Sequence, residues 1–347
     1  MESVKQGQLY KYQILTKDNA PSRAQRVLHT DDILFQCVRP YQMNNYMVKG
    51  TMSDIQWVAS TGYAQIRTQT DYPAFLYYVL NTSKYNKAVM VRCTGSSYPA
   101  INSEDLSKIP FYKCGIAEQK KIADFLSLLD ERIATQNKVI EDLKKLKSAI
   151  IEKHYSQVKK QTTCIADLGE PFSVGSLAKD DLAEIGSPCV IYGELFTTYG
   201  EIIFHIESYT NKTDGMILSK KGDLLFPSST TVDAMSLIAT SVINVDGVIL
   251  GGDMFGIHIS HNYNAQYLSY YFNHIAKKQL AKFAKGSTII HLHYTDIEKA
   301  KLLLPSLEEQ NRMAKCLVAL DKKVSVEQNL LSSLTCQKSF LLQQMFI

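Results

Sequence analysis

The chain has 347 residues, of which 45% are apolar and 21% charged, with 38 basic against 34 acidic side chains. At roughly 100–200 residues per domain, this predicts about two globular units and excludes a disordered or collagen-like chain. No run of 18 apolar residues occurs and residues 1–7 hold no apolar stretch, so neither a membrane span nor a secretory signal is expected.

In chain order, apolar patterning predicts strands at 33–38 and 55–59 and a helix over 72–82, then a long amphipathic helix. Strands follow at 200–206, 222–226 and 247–250, a helix at 265–284, and a second long helix closes the sequence. Turn signals such as Asp246-Gly247 and Gly251-Gly252 separate the later strands. The reading is mixed α/β.

The order repeats itself at a period of 191 residues. Asp32-Ile33-Leu34-Phe35 matches Asp223-Leu224-Leu225-Phe226, Gly95-Ser96 matches Gly286-Ser287, and Asp105-Leu106 matches Asp296-Ile297. Glu118-Gln119 matches Glu309-Gln310, and Leu129-Asp130 matches Leu320-Asp321. Several matches in one register indicate duplication. The expected division is a first body over 1–113, a helix over 114–157, a second body over 158–305 and a helix over 306–347. Residues 157–191 have no counterpart in the first copy, so the first body is expected to lack about 35 N-terminal residues.

Each long helix carries an apolar stripe over about five heptads. In the first, Ile122, Leu129, Leu143 and Ile150 share one position with Gln136, and Phe125, Arg132, Val139 and Leu146 follow three residues later. Leu126, Ile133 and Ile140 widen the stripe. In the second, Met313, Leu320, Glu327, Leu334 and Leu341 are followed by Cys316, Lys323, Leu330 and Gln337, then by Leu317, Val324 and Leu331. The pattern predicts a coiled coil with Ile122, Leu129, Ile133, Ile140, Leu143, Leu320, Val324, Leu331 and Leu334 in its seam. Its polar interruptions, Arg132 with Gln136 and Lys323 with Glu327, either set register in a buried seam or lie at partly buried positions. Ser306 and Glu309 form a capping-box pattern at the second helix start.

The seven cysteines are scattered without a C-x-x-C pair, which points to a reducing cytoplasm rather than a disulfide or zinc framework. No phosphate-binding loop, dinucleotide fingerprint, nucleophile elbow or H-E-x-x-H motif occurs. His291-Leu292-His293 could share a strand face, but no third ligand is evident and no metal is expected. The charge is uneven: 13 basic and 8 acidic residues over 1–113, 12 basic and 15 acidic over 158–305.

The repeated junctions Ile109-Pro110 to Glu118-Gln119 and Leu304-Pro305 to Glu309-Gln310 are each followed by Leu-Asp and a long helix. With the body motifs Asp32–Phe35, Arg39-Pro40-Tyr41 and Gly222–Phe226, they closely resemble the specificity (S) subunit of type I restriction-modification systems. The resemblance implies two target-recognition domains of mixed α/β (α+β) fold, each followed by a long helix, with the two helices paired as an antiparallel coiled-coil spacer. It implies a non-catalytic subunit that reads a bipartite double-stranded DNA target and scaffolds methyltransferase (M) and restriction (R) subunits. Cofactors would then sit in those partners, S-adenosylmethionine in M, and ATP with Mg in R, and none in this chain. The alternative is a truncated or silent S-like scaffold that binds partners through its coiled coil without reading a full site.

DNA reading needs cations for phosphates and donors or acceptors for base edges. The candidates in the first body are Arg39, Tyr41, Arg67, Arg92 and the loop residues Ser96, Ser97 and Tyr98. In the second they are Ser228, Ser229, Lys278, Lys282, Lys285, Ser287, Thr288 and His291, with the three lysines expected on one helical face. The second body contains no arginine, so it is expected to read fewer guanines through Arg than the first.

Overall fold

A computed structural model describes residues 3–5, 7–50 and 55–346. The chain divides into two units, one formed by residues 1–139 with 327–347 and the other by 140–326.

In the first unit, β1 (Ala24–Val27) pairs with β4 (Val58–Ser60), while β2 (Ile33–Gln36) lies between β3 (Tyr46–Met47) and β5 (Tyr63–Ile66), all antiparallel. Side chains alternate faces along a strand. Ile33 and Phe35 of β2 therefore join α1 (Pro73–Leu80), α2 (Ser83–Val91) and the start of the long α3 (Ile116–Gln157) in one core. Leu34 faces the other way into a cluster with Leu28, Val48, Ala59 and Tyr63.

The second unit repeats this plan with more strands. They are β6 (Gln161–Cys164), β7 (Gly169–Ser173), β8 (Leu182–Ala183), β9 (Ser187–Ile191), β10 (Ile202–Ile203), β11 (Ser208–Thr210) and β12 (Ile217–Leu218). Then come β13 (Asp223–Pro227), β14 (Ser229–Thr230), β15 (Ser241–Ile243), β16 (Ile249–Gly251), β17 (Met254–Ile259), β18 (Ile290–His291) and β19 (Lys301–Leu304). One five-stranded sheet has the order β8-β11-β9-β16-β12 and another β10-β15-β13-β17-β7. Within the latter, β15-β13-β17 reproduces β3-β2-β5. Leu224 and Phe226 of β13 pack on α4 (Ala265–His274) and on Met313, Ala314 and Leu317 of α5 (Leu307–Met345), while Leu225 packs with Val190 and Leu250 of the other sheet and with Val248 just before β16. The segment 157–191, unmatched in the first copy, supplies β6, β7, β8 and β9.

Several predicted boundaries move. The strand expected at 55–59 is β4, which begins at Val58; that expected at 200–206 shrinks to β10. The helix predicted over 72–82 ends at Leu80, because the Thr82 hydroxyl caps α2 by accepting from the Tyr85 N–H at 3.2 Å. The helix predicted over 265–284 breaks after His274. There the N–H groups of Ile275 and Ala276 both donate to the Tyr271 carbonyl, and the chain resumes as a short turn of helix, Lys277–Leu280, and a 3-10 turn, Ala281–Phe283. The turn expected at Gly251-Gly252 falls one residue later, at Gly252-Asp253, because Gly251 still pairs with Ile191 as the last residue of β16; Gly252 has φ +92°.

The long helices pair antiparallel within each unit. In the first, Lys338 reaches Asp130 and Gln136 reaches Glu327. In the second, Lys147 reaches Asp321 at 2.8 Å and His154 Nε2 lies 3.2 Å from Glu309. The seam runs through Ile122, Leu126, Leu129, Ile133, Gln136, Ile140 and Leu143 on α3, and through Met313, Leu317, Leu320, Val324, Glu327, Leu331 and Leu334 on α5; each is buried or half-buried. Phe125, Arg132, Val139 and Leu146 are exposed, as are Cys316, Lys323, Leu330 and Gln337. The second seam position is thus the Leu126/Ile133/Ile140 row and its counterpart. Arg132 and Lys323 are not polar interruptions of the seam, whereas Gln136 and Glu327 are. Ser306 caps α5, its hydroxyl 3.4 Å from the Glu309 N–H. The capping box is incomplete, because the Glu309 carboxylate is taken by His154 and by Arg312 at 2.6 Å.

Candidate nucleic-acid interface

The junction motifs have structural work. Gln119 accepts from the Tyr72 N–H, which opens α1, at 2.9 Å and donates to the Cys114 carbonyl at 2.9 Å. Gln310 accepts from the Asn264 N–H, which opens α4, at 3.0 Å and donates to the Pro305 carbonyl at 2.9 Å. Both glutamines are buried. The aspartate of each Leu-Asp pair accepts a tyrosine hydroxyl, Tyr78 on Asp130 at 2.8 Å and Tyr270 on Asp321, together with a lysine from the opposing helix. Burial beside these carboxylates pushes the Tyr78 and Tyr270 hydroxyls far above the ordinary phenol range. These groups clamp each body to its helix pair, a role the spacing of the motifs did not reveal.

At the far end of each central strand the backbone is arranged twice in the same way. In the first unit, Val38 bridges Ala100, the Ile101 N–H donates to Cys37 at 3.0 Å, and Thr94 and Ala100 exchange two bonds of 2.9 Å around the loop 95–99. In the second, β14 pairs with β18 through Ser229 and His291. The Leu292 N–H donates to Ser228 at 2.9 Å, and Lys285 and His291 exchange bonds of 2.9 and 2.7 Å around the loop 286–290. Each loop turns on a glycine at positive φ, Gly95 at +90° and Gly286 at +118°. A β carbon on Gly286 would meet the Ile289 carbonyl oxygen at 2.0 Å. Only glycine adopts such a conformation without strain.

The first loop gathers Arg39, Ser96, Ser97 and Tyr98. Arg39 sits in the left-handed region, at φ 54° and ψ 54°, and so does Met43; between them lies the 3-10 turn Pro40–Gln42 that carries Tyr41. The Arg39 N–H donates to Pro99 at 2.8 Å, and its guanidinium carbon lies 4.3 Å from the centre of the Tyr98 ring. A network missed from the sequence holds the turn. Gln36 donates to Val38 at 2.8 Å and to Gln42 at 2.9 Å, Asn45 accepts from the Gln36 N–H at 2.8 Å, and Asn86 donates to Pro40 at 3.0 Å. Ser96, Ser97, Tyr98 and Tyr41 are exposed. Arg92 is exposed and donates to the Ala88 carbonyl at 3.0 Å.

Arg67 lies elsewhere, at the opposite end of β2. Its Nε and Nη2 donate to Asp32 at 2.7 and 2.9 Å, and Asp32 also accepts from the His29 N–H and from Gln65. Burial raises the Asp32 carboxyl, but these donors outweigh it and leave the group below the usual carboxylate range. The second unit repeats the pair as Asp223 and His258, 2.6 Å apart.

Around the second loop, Ser287 and Thr288 are exposed and His291 is half-buried. Ser228 and Ser229 are buried in the segment that pairs with β18, so their side chains do not face solvent. Lys278, Lys282 and Lys285 do not share a helical face: Lys278 and Lys282 sit on two different short turns, and Lys285 lies in the extended segment opposite His291, paired with Asp296 at 2.5 Å. His291 and His293 stack with ring centroids 6.1 Å apart. Among the described residues no group of three His, Cys, Asp or Glu side chains could hold a metal ion, and no helix is long and apolar enough to cross a membrane.

Two bodies of one plan, each presenting a glycine-turned loop and each clamped to a long antiparallel helix, define a duplicated recognition scaffold. The family described as the type I restriction modification DNA specificity domain matches residues 3–145 and 158–335, and the chain belongs to that family. It is 25% identical to the type I restriction enzyme MjaVIII specificity subunit of Methanocaldococcus jannaschii over 67% of this chain and 60% of that protein. In fold it is similar to the S subunit of a type I restriction-modification system from M. genitalium, with a TM-score of 0.63 at 16% identity over 96% of this chain and 92% of that one. It is also similar to a chain from a study of type I R-M complex assembly and conformational transition, with a TM-score of 0.58 at 19% identity over 98% and 87%.

Proposed function

We propose that this chain reads a bipartite double-stranded DNA target, one half-site per unit, through the loops at 95–99 and 286–290. The observation that carries the reading is the duplication of the loop. In both units a glycine-turned, solvent-exposed hairpin, carrying Ser96, Ser97 and Tyr98 in the first and Ser287 and Thr288 in the second, is pinned against the end of the central strand, in a chain of the DNA specificity family. Exposed serine and threonine hydroxyls and a guanidinium suit base edges and phosphates.

The chain supplies no chemistry in this reading. Methyltransferase subunits bring the S-adenosylmethionine reaction and restriction subunits the ATP- and Mg-dependent one, both docked on this scaffold in the cytoplasm.

The test is methylation mapping of a genome with and without this gene, in the presence of its M partner. Loss of one bipartite methylated motif is the expected outcome. An unchanged methylome overturns the proposal and leaves a silent scaffold.

A further inference from the structure

The two loops are built alike, yet they do not present the same chemistry. At the position where the first unit has Arg39 the second has Thr230, and where the first has Tyr98 the second has Ile289, each 191 residues on. The Thr230 hydroxyl is turned inward and accepts from the Val232 N–H at 3.2 Å. Only the first loop places a cation on an aromatic ring.

Three features set Arg39 apart from the other arginines described above. First, its backbone occupies the left-handed region, which is strained for a non-glycine residue. The N–H of Arg39 on Pro99, Asn86 on Pro40 and the Gln36 amide on Val38 and Gln42 hold that conformation. Second, the guanidinium lies over the ring of Tyr98, itself 64% exposed at the tip of the loop. A guanidinium stacked on a ring keeps its flat fork and loses less freedom when it binds. Third, no side-chain hydrogen bond or ion pair ties up this fork among the described residues. The Arg67 fork, in contrast, is filled by the Asp32 carboxylate.

A flat guanidinium with free donors, held rigidly at the rim of a DNA-facing loop, matches the paired acceptors O6 and N7 that guanine presents in the major groove. Lysine, a point charge without a fork, would not match them equally well. We propose that Arg39 is a base-reading residue that selects a guanine in the half-site of the first unit, with Tyr98 as the ring that orients it. The second unit selects its half-site without such a contact. The inference rests on the DNA-reading function proposed above.

The experiment is in vitro selection of bound DNA sequences by the complete complex with its M subunits, comparing wild type with Arg39→Gln, Arg39→Lys and Tyr98→Leu. Thermal unfolding of each variant accompanies the selection. The wild type is expected to return two half-sites, one of them containing guanine. Arg39→Gln and Arg39→Lys should each lose the preference for one guanine in that half-site, weaken binding to the wild-type site by about 5- to 150-fold, and leave the other half-site unchanged. Tyr98→Leu should weaken the same position to a smaller degree.

A uniform loss across all sequences with a shallower salt dependence would make Arg39 a phosphate contact and overturn the inference while sparing the function. So would a motif that both Arg39 variants leave intact, or one that Arg39→Lys fully retains. If Arg39→Gln unfolds, Tyr98→Leu, which leaves the strained backbone untouched, decides: an unaltered guanine preference overturns the inference. Failure of the wild-type complex to select any motif overturns the function itself, and the inference with it.

Discussion

The side-chain amide of Gln136 donates to both the backbone carbonyl of Glu327, at 3.0 Å, and its carboxylate, and the two residues are 191 positions apart. Each is therefore the repeat counterpart of the other. In an antiparallel pair of equivalent helices only the residues at the centre of the pair can meet their own counterparts. The flanking contacts obey the same rule: adding 191 converts Asp130 to Asp321 and Lys147 to Lys338, so the Asp130–Lys338 pair of one unit is the Asp321–Lys147 pair of the other.

A buried polar pair at the centre of an apolar seam fixes register at a cost in stability. The double substitution Gln136→Leu with Glu327→Leu should leave the chain as stable as wild type, or more stable by about 1–4 kcal/mol in denaturant unfolding. It should also permit other helix registers, read as new cross-links between cysteines placed on the two helices. A doubly substituted chain that keeps a single cross-linking pattern would remove the register role.

Gln310 has both sides of its amide engaged in a buried site, joining α4 to the start of α5. Gln310→Ala leaves a buried N–H and a buried carbonyl unpaired, which costs roughly 1–3 kcal/mol each. Urea unfolding should show a loss of that order. A loss below about 0.5 kcal/mol, the size typical of a neutral surface substitution, would mean that the amide does not clamp the body.

The second unit should lose stability in acid through Glu201. Burial raises this carboxyl, but the hydrogen bond with His274, at 2.8 Å, and the Lys147 ammonium, at 3.0 Å, outweigh it and hold it down to about 2. A carboxyl depressed on folding contributes stability above its unfolded value, near 4.5, and surrenders it as pH falls from there toward 2. Between pH 5 and 2 the unfolding free energy should drop by something on the order of 2 kcal/mol on account of this group. Glu201→Gln should be less stable at pH 7 and show a flatter acid limb. Parallel pH profiles for the two proteins would refute it.

The glycines of the two loops are not equally replaceable. A β carbon on Gly286 would lie 2.0 Å from a carbonyl oxygen, and one on Gly95 would lie 2.9 Å from another. Gly286→Ala should therefore destabilise more than Gly95→Ala, with the former costing about 1–3 kcal/mol and exposing the His291 N–H to hydrogen exchange. Equal melting temperatures for the two variants would contradict this order.

The period of 191 residues, the mixed α/β character, the two long helices and their junction motifs were all legible in the sequence. Each is a local or periodic property, carried by heptads, turn residues and matched strings. The seam was only half legible: Phe125 and Leu126 are both apolar, and which one faces the partner helix depends on the packing, which buries Leu126 and exposes Phe125. Loop positions followed from Gly95-Ser96 and Gly286-Ser287, but not the state of the side chains around them. Ser228 and Ser229 read as candidates for DNA contact, yet they are buried in the segment that pairs with the 290–292 backbone.

What the tertiary structure alone decided is which charges are spent and which are free. Arg67 and Arg39 look equivalent in a list of basic residues, yet strand pairing sets one against Asp32 and the turn at Pro40–Gln42 sets the other over an exposed ring. Likewise Gln119, Gln310, Asp130 and Asp321 stand out in sequence only as repeated junction residues, and they become clamps only when helix and body are brought together. The sequence by itself determined the elements and their duplication, because propensity and periodicity act over a few residues. The chemistry exposed at the loops was decided by contacts spanning tens of residues, which no local pattern encodes.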